Sequence, residues 1–400
     1  FPAGIVQKDF NNWGPRVGAT YNLTERTVIR SGFGVFYDNL NLNELQFSRL
    51  VPPFYGQYSL TPDKSAPVSV DTLFPSLDGI AQFPAPFSMD PSNVTPYTVQ
   101  WNVNVQRSLG HNYIVEVAYT GSRAYHEHKR YNINQATPGT TPIATRVPYP
   151  AFQSAILYSS DAGWARFNGV SFRVEKRYSD GFFFLGNYQL SKSTDNGSGE
   201  IEANDTAYAW DLDADRGYAR YDQRHRSAFS FGYELPVGPG KRWLSNGGAA
   251  AYALGGWQVQ GIVRLASGFP LSVSSTNVCQ CGSFLPQRVN LVTAGNFGIL
   301  DNPTPDRWFD KTAYAVPALG TQGTAGRNTI RGPGTQQVNF SVSKRFPISR
   351  ARIEFRAEFY NLLNHNNFGN PDTNISNATA TTITTADDGR NVQLGFRLAW

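Results

Sequence analysis

Three aspartates stand at alternate positions in the stretch WDLDADRG: Asp211, Asp213 and Asp215. That spacing resembles the front of a calcium-binding loop, whose first oxygen ligands recur at every second residue. The rest of such a loop wants Gly at its sixth position and Glu at its twelfth, where Arg216 and Asp222 stand. A solvated loop in which Asp215 and Arg216 pair locally is the plainer reading. No cofactor is expected, with calcium on these carboxylates the one candidate. The stretch YHEHK puts His126 and His128 on one side of an extended segment, two ligands of the three or four a metal needs. Cys279 and Cys281 flank a single glutamine. Two cysteines make no disulfide framework, and the pair reads as loop thiols or a labile loop disulfide. Trp164, Trp210 and Trp308 fall in stretches read as long loops, where an indole can stack on a ligand such as a sugar or simply pack. No G-x-S-x-G, H-E-x-x-H or P-loop pattern occurs, so no enzyme is expected.

Composition says what kind of scaffold must hold these residues. Of the 400 residues, 14% are aromatic and only 16% charged, against about 25% charged in an average soluble protein. A surface kept in water needs charge, so the shortfall argues against an ordinary soluble domain. Mean hydropathy is nevertheless −0.38, and no run approaches the roughly 18 apolar residues of a membrane helix. A transmembrane β-barrel reconciles the two, because only alternate residues need be apolar. The net charge is +5, but the cations are scattered singly along strands. No basic run or recognition-helix pattern points to nucleic acid.

Period-two stretches recur along the whole chain. YTVQWNVNVQR puts Tyr97, Val99, Trp101, Val103 and Val105 on one face; QVNFSVSKRF puts Val338, Phe340, Val342 and Phe346 on one face. The last stretch, NVQLGFRLAW, sends Val392, Leu394, Phe396, Leu398 and Trp400 one way and Gln393, Gly395 and Arg397 the other. About eleven such strands are expected, each near the roughly 9–11 residues that a tilted membrane strand needs. Polar positions on the opposite faces give a set of charges for a barrel lumen: Arg173, Glu175, Arg264, Arg345, Glu354, Arg356, Glu358 and Arg397. A structural network across a wide pore, or a seat for a plug, is the plainer role for them; a polar-substrate path is the sharper one.

Connections alternate between tight turns near 23–26, 109–112, 179–181 and 347–350 and long links near 38–96, 121–165, 194–224, 268–335 and 364–390. Short periplasmic turns and long extracellular loops produce that rhythm. Before three of the turns a Val is followed, two residues on, by a cation and then by an aromatic or Leu: Val105–Arg107–Leu109, Val174–Lys176–Tyr178 and Val342–Lys344–Phe346. A long cation at a membrane rim can lay its stem on lipid and its head at the phosphates. If the last strand ends in the periplasm, the first visible strand also runs downward, so further strands are expected before Phe1. The class expected is all-β: an antiparallel transmembrane barrel, about eleven strands of a larger one, in the outer membrane of a Gram-negative bacterium.

Several stretches, in order, resemble the C-terminal part of the Oar-like TonB-dependent transporter family. They include PRVGATYNLTERTVIRSGFGVFYD (15–38), YTVQWNVNVQRSLGHNYIVEVAYTGSR (97–123), FNGVSFRVEKRYSDGFFFLGNYQLSKSTDN (167–196), DQRHRSAFSFGYELP (222–236), GGWQVQGIVRLASGFPLSV (255–273), AGRNTIRGPG (325–334) and RAEFYNLLNHNNFGNP (356–371). The resemblance implies that residues 1–400 are the C-terminal barrel part, with a signal peptide, a carboxypeptidase-regulatory-like domain, a plug and early strands lying upstream. It implies energised uptake of a bulky solute such as an oligosaccharide, metal chelate or peptide. It also implies TonB–ExbB–ExbD as a partner acting on the upstream part; the alternating strands themselves point to the lipid bilayer, and the strand that ends in Trp400 resembles the signal that the barrel-assembly machinery recognises. The alternative is a non-transporting surface or adhesion barrel that presents its loops.

Overall fold

The computed structural model describes residues 9–38, 85–110, 112–152, 155–199, 206–282, 287–292, 295–348 and 351–399. Trp400, and with it the end of the expected assembly signal, lies outside them.

Eleven strands follow one another in chain order across a single antiparallel sheet, with two further short strands off its edge path. They are β1 (Arg16–Thr24), β2 (Thr27–Tyr37), β3 (Tyr97–Gly110), β4 (Tyr113–Asn132), β5 (Leu157–Ser179), β6 (Phe182–Asp195), β7 (His225–Glu234), β8 (Trp257–Ala266), β9 (Thr335–Ile348), β10 (Ala351–Tyr360) and β11 (Asn391–Ala399). The sheet is antiparallel throughout this path because each tight turn returns the chain beside the strand it has just left. At Asp180–Gly181 both turn residues have positive φ, 54° and 78°. That is the backbone a two-residue hairpin turn demands, and Asp-Gly adopts it readily. The medium link after β7 carries the helix α1 (Ala249–Leu254). Among the described residues no helix is long and apolar enough to cross a membrane.

Register carries the alternation across the sheet. Val392, Leu394, Phe396 and Leu398 pair with Phe359, Ala357, Phe355 and Ile353, and all four are exposed. On the opposite face, Arg173, Asn187, Ala228 and Arg264 are successive cross-strand partners. Arg345, Glu354 and Arg397 form another such row. A one-residue slip would exchange the two faces wholesale, so the pattern fixes the pairing.

Two features differ from the sequence reading. First, β4 and β5 are 20 and 23 residues long, roughly twice what a bilayer crossing needs. They rise past one end of the sheet, so His126, His128 and Trp164 stand in strands and not in loops. Second, two of the three rim cations do not reach outward. Lys176 Nζ donates to the carbonyls of Ser179 and Phe182, both at 3.0 Å, and to Ser179 Oγ at 2.8 Å. Lys344 Nζ donates to the carbonyls of Tyr252 and Ala253. Turn carbonyls without a ladder partner, and the last carbonyls of a helix such as α1, need a donor, and a nearby lysine reaches them. Only Arg107 is exposed.

The buried apolar core lies not in the sheet but among the long links. Val273, Val289, Phe309, Ala313, Tyr314, Ala325 and Ile330 form one cluster, with Leu271, Leu291, Phe297, Trp308 and Ile375 packed against it. Short ladders stiffen this layer: Pro270–Leu271 with Ile330–Arg331, Asn290–Leu291 with Tyr314–Ala315, and Ser274–Ser275 with Gln287–Arg288. Where the chain leaves β8 and re-enters before β9, a Cβ on Gly268 would meet the Gly332 carbonyl oxygen at 1.8 Å. Backbone atoms held by ladders on both legs cannot yield easily. Gly268→Ala is therefore expected to cost about 1–3 kcal/mol or more of loop-layer stability, read as earlier protease cleavage within 268–335. Cleavage at the unaltered rate would mean that the two legs are not packed as described.

Candidate functional site: the folded outer loops

At the end of the sheet away from the tight turns, the tops of β4 and β6 meet the links 206–224 and 268–334. Three buried acids make the joint. Asp215 is fully buried; Lys129 Nζ at the top of β4 lies 3.1 Å from one of its oxygens and Arg288 Nη2 lies 2.6 Å from the other. The Ala207 amide also donates to it. Asp195, the last residue of β6, pairs with Arg327, whose guanidinium also donates to the Asp195 carbonyl at 3.0 Å. Asp222 pairs with Arg331 and accepts from the Ser193 amide at 2.6 Å. Each pair joins residues more than seventy positions apart in the chain.

Burial makes these pairs consequential. Exposed ion pairs contribute at most about 1 kcal/mol, but a buried charge deprived of its partner destabilises by several. Burial pushes the Asp215 carboxyl above the ordinary carboxylate range; the charges of Lys129 and Arg288 oppose that push without cancelling it. Burial likewise pushes the Arg288 guanidinium down.

A second joint uses backbone atoms. Cys279 and Cys281 form a disulfide and are both buried. Their carbonyls accept from the Gly139 and Ala136 amides at 3.5 and 3.2 Å, and the Gln280 carbonyl accepts from Arg146 Nη2 at 2.9 Å. Gln287 Oε1 accepts from the Cys279 amide at 2.6 Å. The CQC turn thus ties the link 133–156 to the link 268–334.

Several sequence candidates fall within this layer, though not together. Asp211 caps the short 3-10 turn Leu212–Asp215 by accepting from the Ala214 amide. Asp215 instead turns inward to its two cations, so the three alternate aspartates do not converge. Among the described residues no group of three or more His, Cys, Asp or Glu is placed to hold a metal. His126 Nδ1 lies 3.1 Å from Asp161, while the ring nitrogens of His128 are buried. Trp210 stacks on Tyr208 at 5.4 Å and donates to Gln322. Trp308 donates to the Arg331 carbonyl at 2.7 Å and packs on the apolar cluster.

Seven of the eight sheet charges form two groups along their shared face. Arg173 and Glu175 pair at 2.8 Å. Glu354 accepts from Arg356 at 2.6 Å and lies 3.4 Å from Arg345, and Arg356 approaches Glu358 at 3.6 Å. Arg397 registers opposite Glu354, and Arg264 stands apart between Ala228 and Gln337. A cavity of about 620 Å³ opens at the junction of sheet and loops, lined by His225, Leu265, Trp308, Gln336, His365 and Phe368 among others.

Sequence reasoning did not single out Lys129, Asp195, Arg288, Arg327 or Arg331, and met Asp222 only as the ill-fitting twelfth position of a calcium loop. The one available signal was that Arg327 and Arg331 sit in AGRNTIRGPG and Asp222 opens DQRHR. Which arginine meets which aspartate is set by packing.

A family model described as an outer membrane beta barrel domain matches residues 1–393. No curated protein matches the chain in sequence. Among solved structures, the outer membrane transporter YddB from Escherichia coli is similar at a TM-score of 0.52 and 11% identity, over 95% of this chain and 40% of that chain. The siderophore receptor PiuA from Acinetobacter baumannii gives 0.46 and 10% identity over 95% of this chain and 35% of its own. The FrpB iron transporter from Neisseria meningitidis gives 0.45 and 10% over 96% and 38%. At such identities the likeness to YddB is one of fold, and this chain spans 40% of YddB's length.

Proposed function

The chain belongs to the outer membrane β-barrel family, and on that premise we propose that it is the C-terminal barrel part of a TonB-dependent transporter of the Oar-like kind. The family is one of membrane barrels of the Gram-negative outer membrane and not of enzymes. In the proposed reading residues 1–400 supply eleven strands of a larger barrel, and the regulatory-like domain, plug and TonB-contacting segment lie upstream. TonB–ExbB–ExbD acts on that upstream part. The charges from Arg173 to Arg397 line the lumen, and Val392, Leu394, Phe396, Leu398 and Trp400 face lipid and are read by the barrel-assembly machinery. The cargo is a bulky solute: an oligosaccharide, a metal chelate or a peptide.

One observation carries the reading. The described parts of the links 206–224 and 268–334 are not loose tethers but a layer with its own apolar core, held to the strand tops by buried ion pairs. A rigid rim of this kind can present fixed contacts to a solute at the mouth of a wide pore.

The test compares cells lacking the full-length gene with cells lacking TonB, each offered labelled oligosaccharides, metal chelates and peptides. A shared uptake defect for one class is expected. Normal uptake of every class together with lost surface attachment would instead favour the non-transporting barrel.

A further inference from the structure

High on the sheet, on the face that carries Val103, Phe172 and Val174, two arginines stand directly opposite each other. Arg123 of β4 and Arg166 of β5 are cross-strand partners, and the row continues to Thr194. One step below, Asn168 is opposite Lys192 of β6. Arg123, Arg166, Lys192 and the nearby Arg224 are all exposed. Like charges set opposite each other on a sheet are destabilising. Among the described residues no carboxylate stands on this part of the face to offset them.

Lys192 and Arg224 border a depression of about 190 Å³ with two kinds of wall, one same-face position along β5 from Arg166. Tyr119, Val170 and Leu190 are its apolar side; Asn168, Lys192 and Arg224 are its polar side. Tyr119 donates to Asn168 Oδ1 at 2.9 Å, which fixes the boundary between them. Above it, Arg166 and Arg216 lie 5.1 and 5.7 Å from the Trp164 ring, and Lys192 lies 5.3 Å from Tyr218. Below it, the exposed Val117, Phe172 and Val174 continue the apolar band.

We propose that this groove binds a phosphorylated glycolipid of the outer leaflet, with an acyl chain along Val170 and Leu190 and its phosphate between Arg166, Lys192 and Arg224. Guanidinium groups match phosphate geometry in pairs of hydrogen bonds. An anion between Arg123 and Arg166 would turn a repulsive pair into a shared site. The inference rests on the membrane placement that the family gives, not on transport.

The full-length protein in neutral detergent is titrated with diphosphorylated lipid A and with the same lipid stripped of its phosphates, with bound lipid counted by native mass spectrometry. The Arg166→Gln/Lys192→Gln double variant is expected to bind the phosphorylated lipid about a hundredfold more weakly, since each of the two charge-assisted hydrogen bonds lost is worth about a factor of ten. Arg166→Lys/Lys192→Arg, which keeps both charges, is expected to retain most of the affinity, and Lys241→Gln at the opposite end of the sheet should leave it unchanged. Equal binding of the two lipids, or full retention by the double glutamine variant, would overturn the proposal. So would displacement by millimolar inorganic phosphate, which would make the groove a phosphate site and not a lipid site.

Discussion

Asp215→Asn is expected to release the outer loops while leaving the sheet intact. The substitution keeps the shape of the side chain and removes its charge. Lys129 and Arg288, whose side chains are 3% and 8% exposed, would then stand as buried cations on either side of a neutral amide, with no anion between them. Breaking a buried pair in this way typically costs about 3–5 kcal/mol. The loss falls on the joint between β4 and the links 206–224 and 268–334, because all three charged groups lie there. The sheet has its own ladder of backbone hydrogen bonds and should not notice. The measurement is limited proteolysis of the full-length protein in outer membranes, followed by a heat-modifiability gel. Cleavage depends on the population of opened loops, so it should accelerate by well over about tenfold at unchanged gel behaviour. A neutral counterpart, Lys129→Met/Asp215→Leu/Arg288→Met, should recover much of the protection, since apolar replacement of a whole buried triad is often neutral. If Asp215→Asn is cleaved at the wild-type rate, the triad does not hold the layer.

Phe309→Ala is the second large effect expected. Phe309 is 1% exposed and meets the Tyr314 ring edge-on at 6.3 Å, in the centre of the loop-layer cluster. Truncating a buried Phe costs about 3–5 kcal/mol, part transfer free energy and part the cavity left behind. Here the cavity has little way to collapse, because ladders hold both flanks: Phe309 registers with Ile299, and Leu291 with Tyr314, whose hydroxyl donates to the Phe297 carbonyl at 2.8 Å. The same proteolysis assay reads it, with new cuts expected between residues 290 and 335. A Phe309→Leu variant, which refills most of the volume, should lie between the two. Unchanged cleavage in Phe309→Ala would show that the apolar cluster is incidental to the fold of the loops. The two substitutions act through different forces, so raised salt should aggravate neither in the same way. Screening reaches a buried ion pair poorly, whereas salts excluded from protein surface strengthen apolar burial and should partly protect Phe309→Ala.

Much of the architecture was legible from alternation alone. A period of two leaves one degree of freedom, which face is apolar, and each run such as Val392–Leu394–Phe396–Leu398 settles it locally. Tight links near 109–112 and 179–181 then make neighbours of consecutive strands, and the strand order follows the chain. What alternation could not show was where β4 and β5 stop. The residues of HEHKRYN no longer alternate cleanly, and strand pairing with Leu157–Gly163 continues through irregular register there. That is why the stretch 121–165, with Trp164 near its end, reads in the sequence as a long link.

The sequence by itself determined the class of fold, the strand count near eleven, the two faces of the sheet and the rhythm of short and long connections. These are local properties, written in spacings of two and in turn residues. Tertiary structure alone decided the loop layer. Its ion pairs join Asp195 to Arg327 and Asp222 to Arg331 across more than a hundred residues, and its core gathers Val273, Phe309 and Ile330 from segments that show no periodicity. Such contacts are chosen by which buried charge finds a partner and which apolar surface leaves water, and neither choice has a spacing that a sequence displays. So Asp215, which the spacing alone makes a solvated loop acid, is instead a fully buried one, because the folded loops place its charge between Lys129 and Arg288.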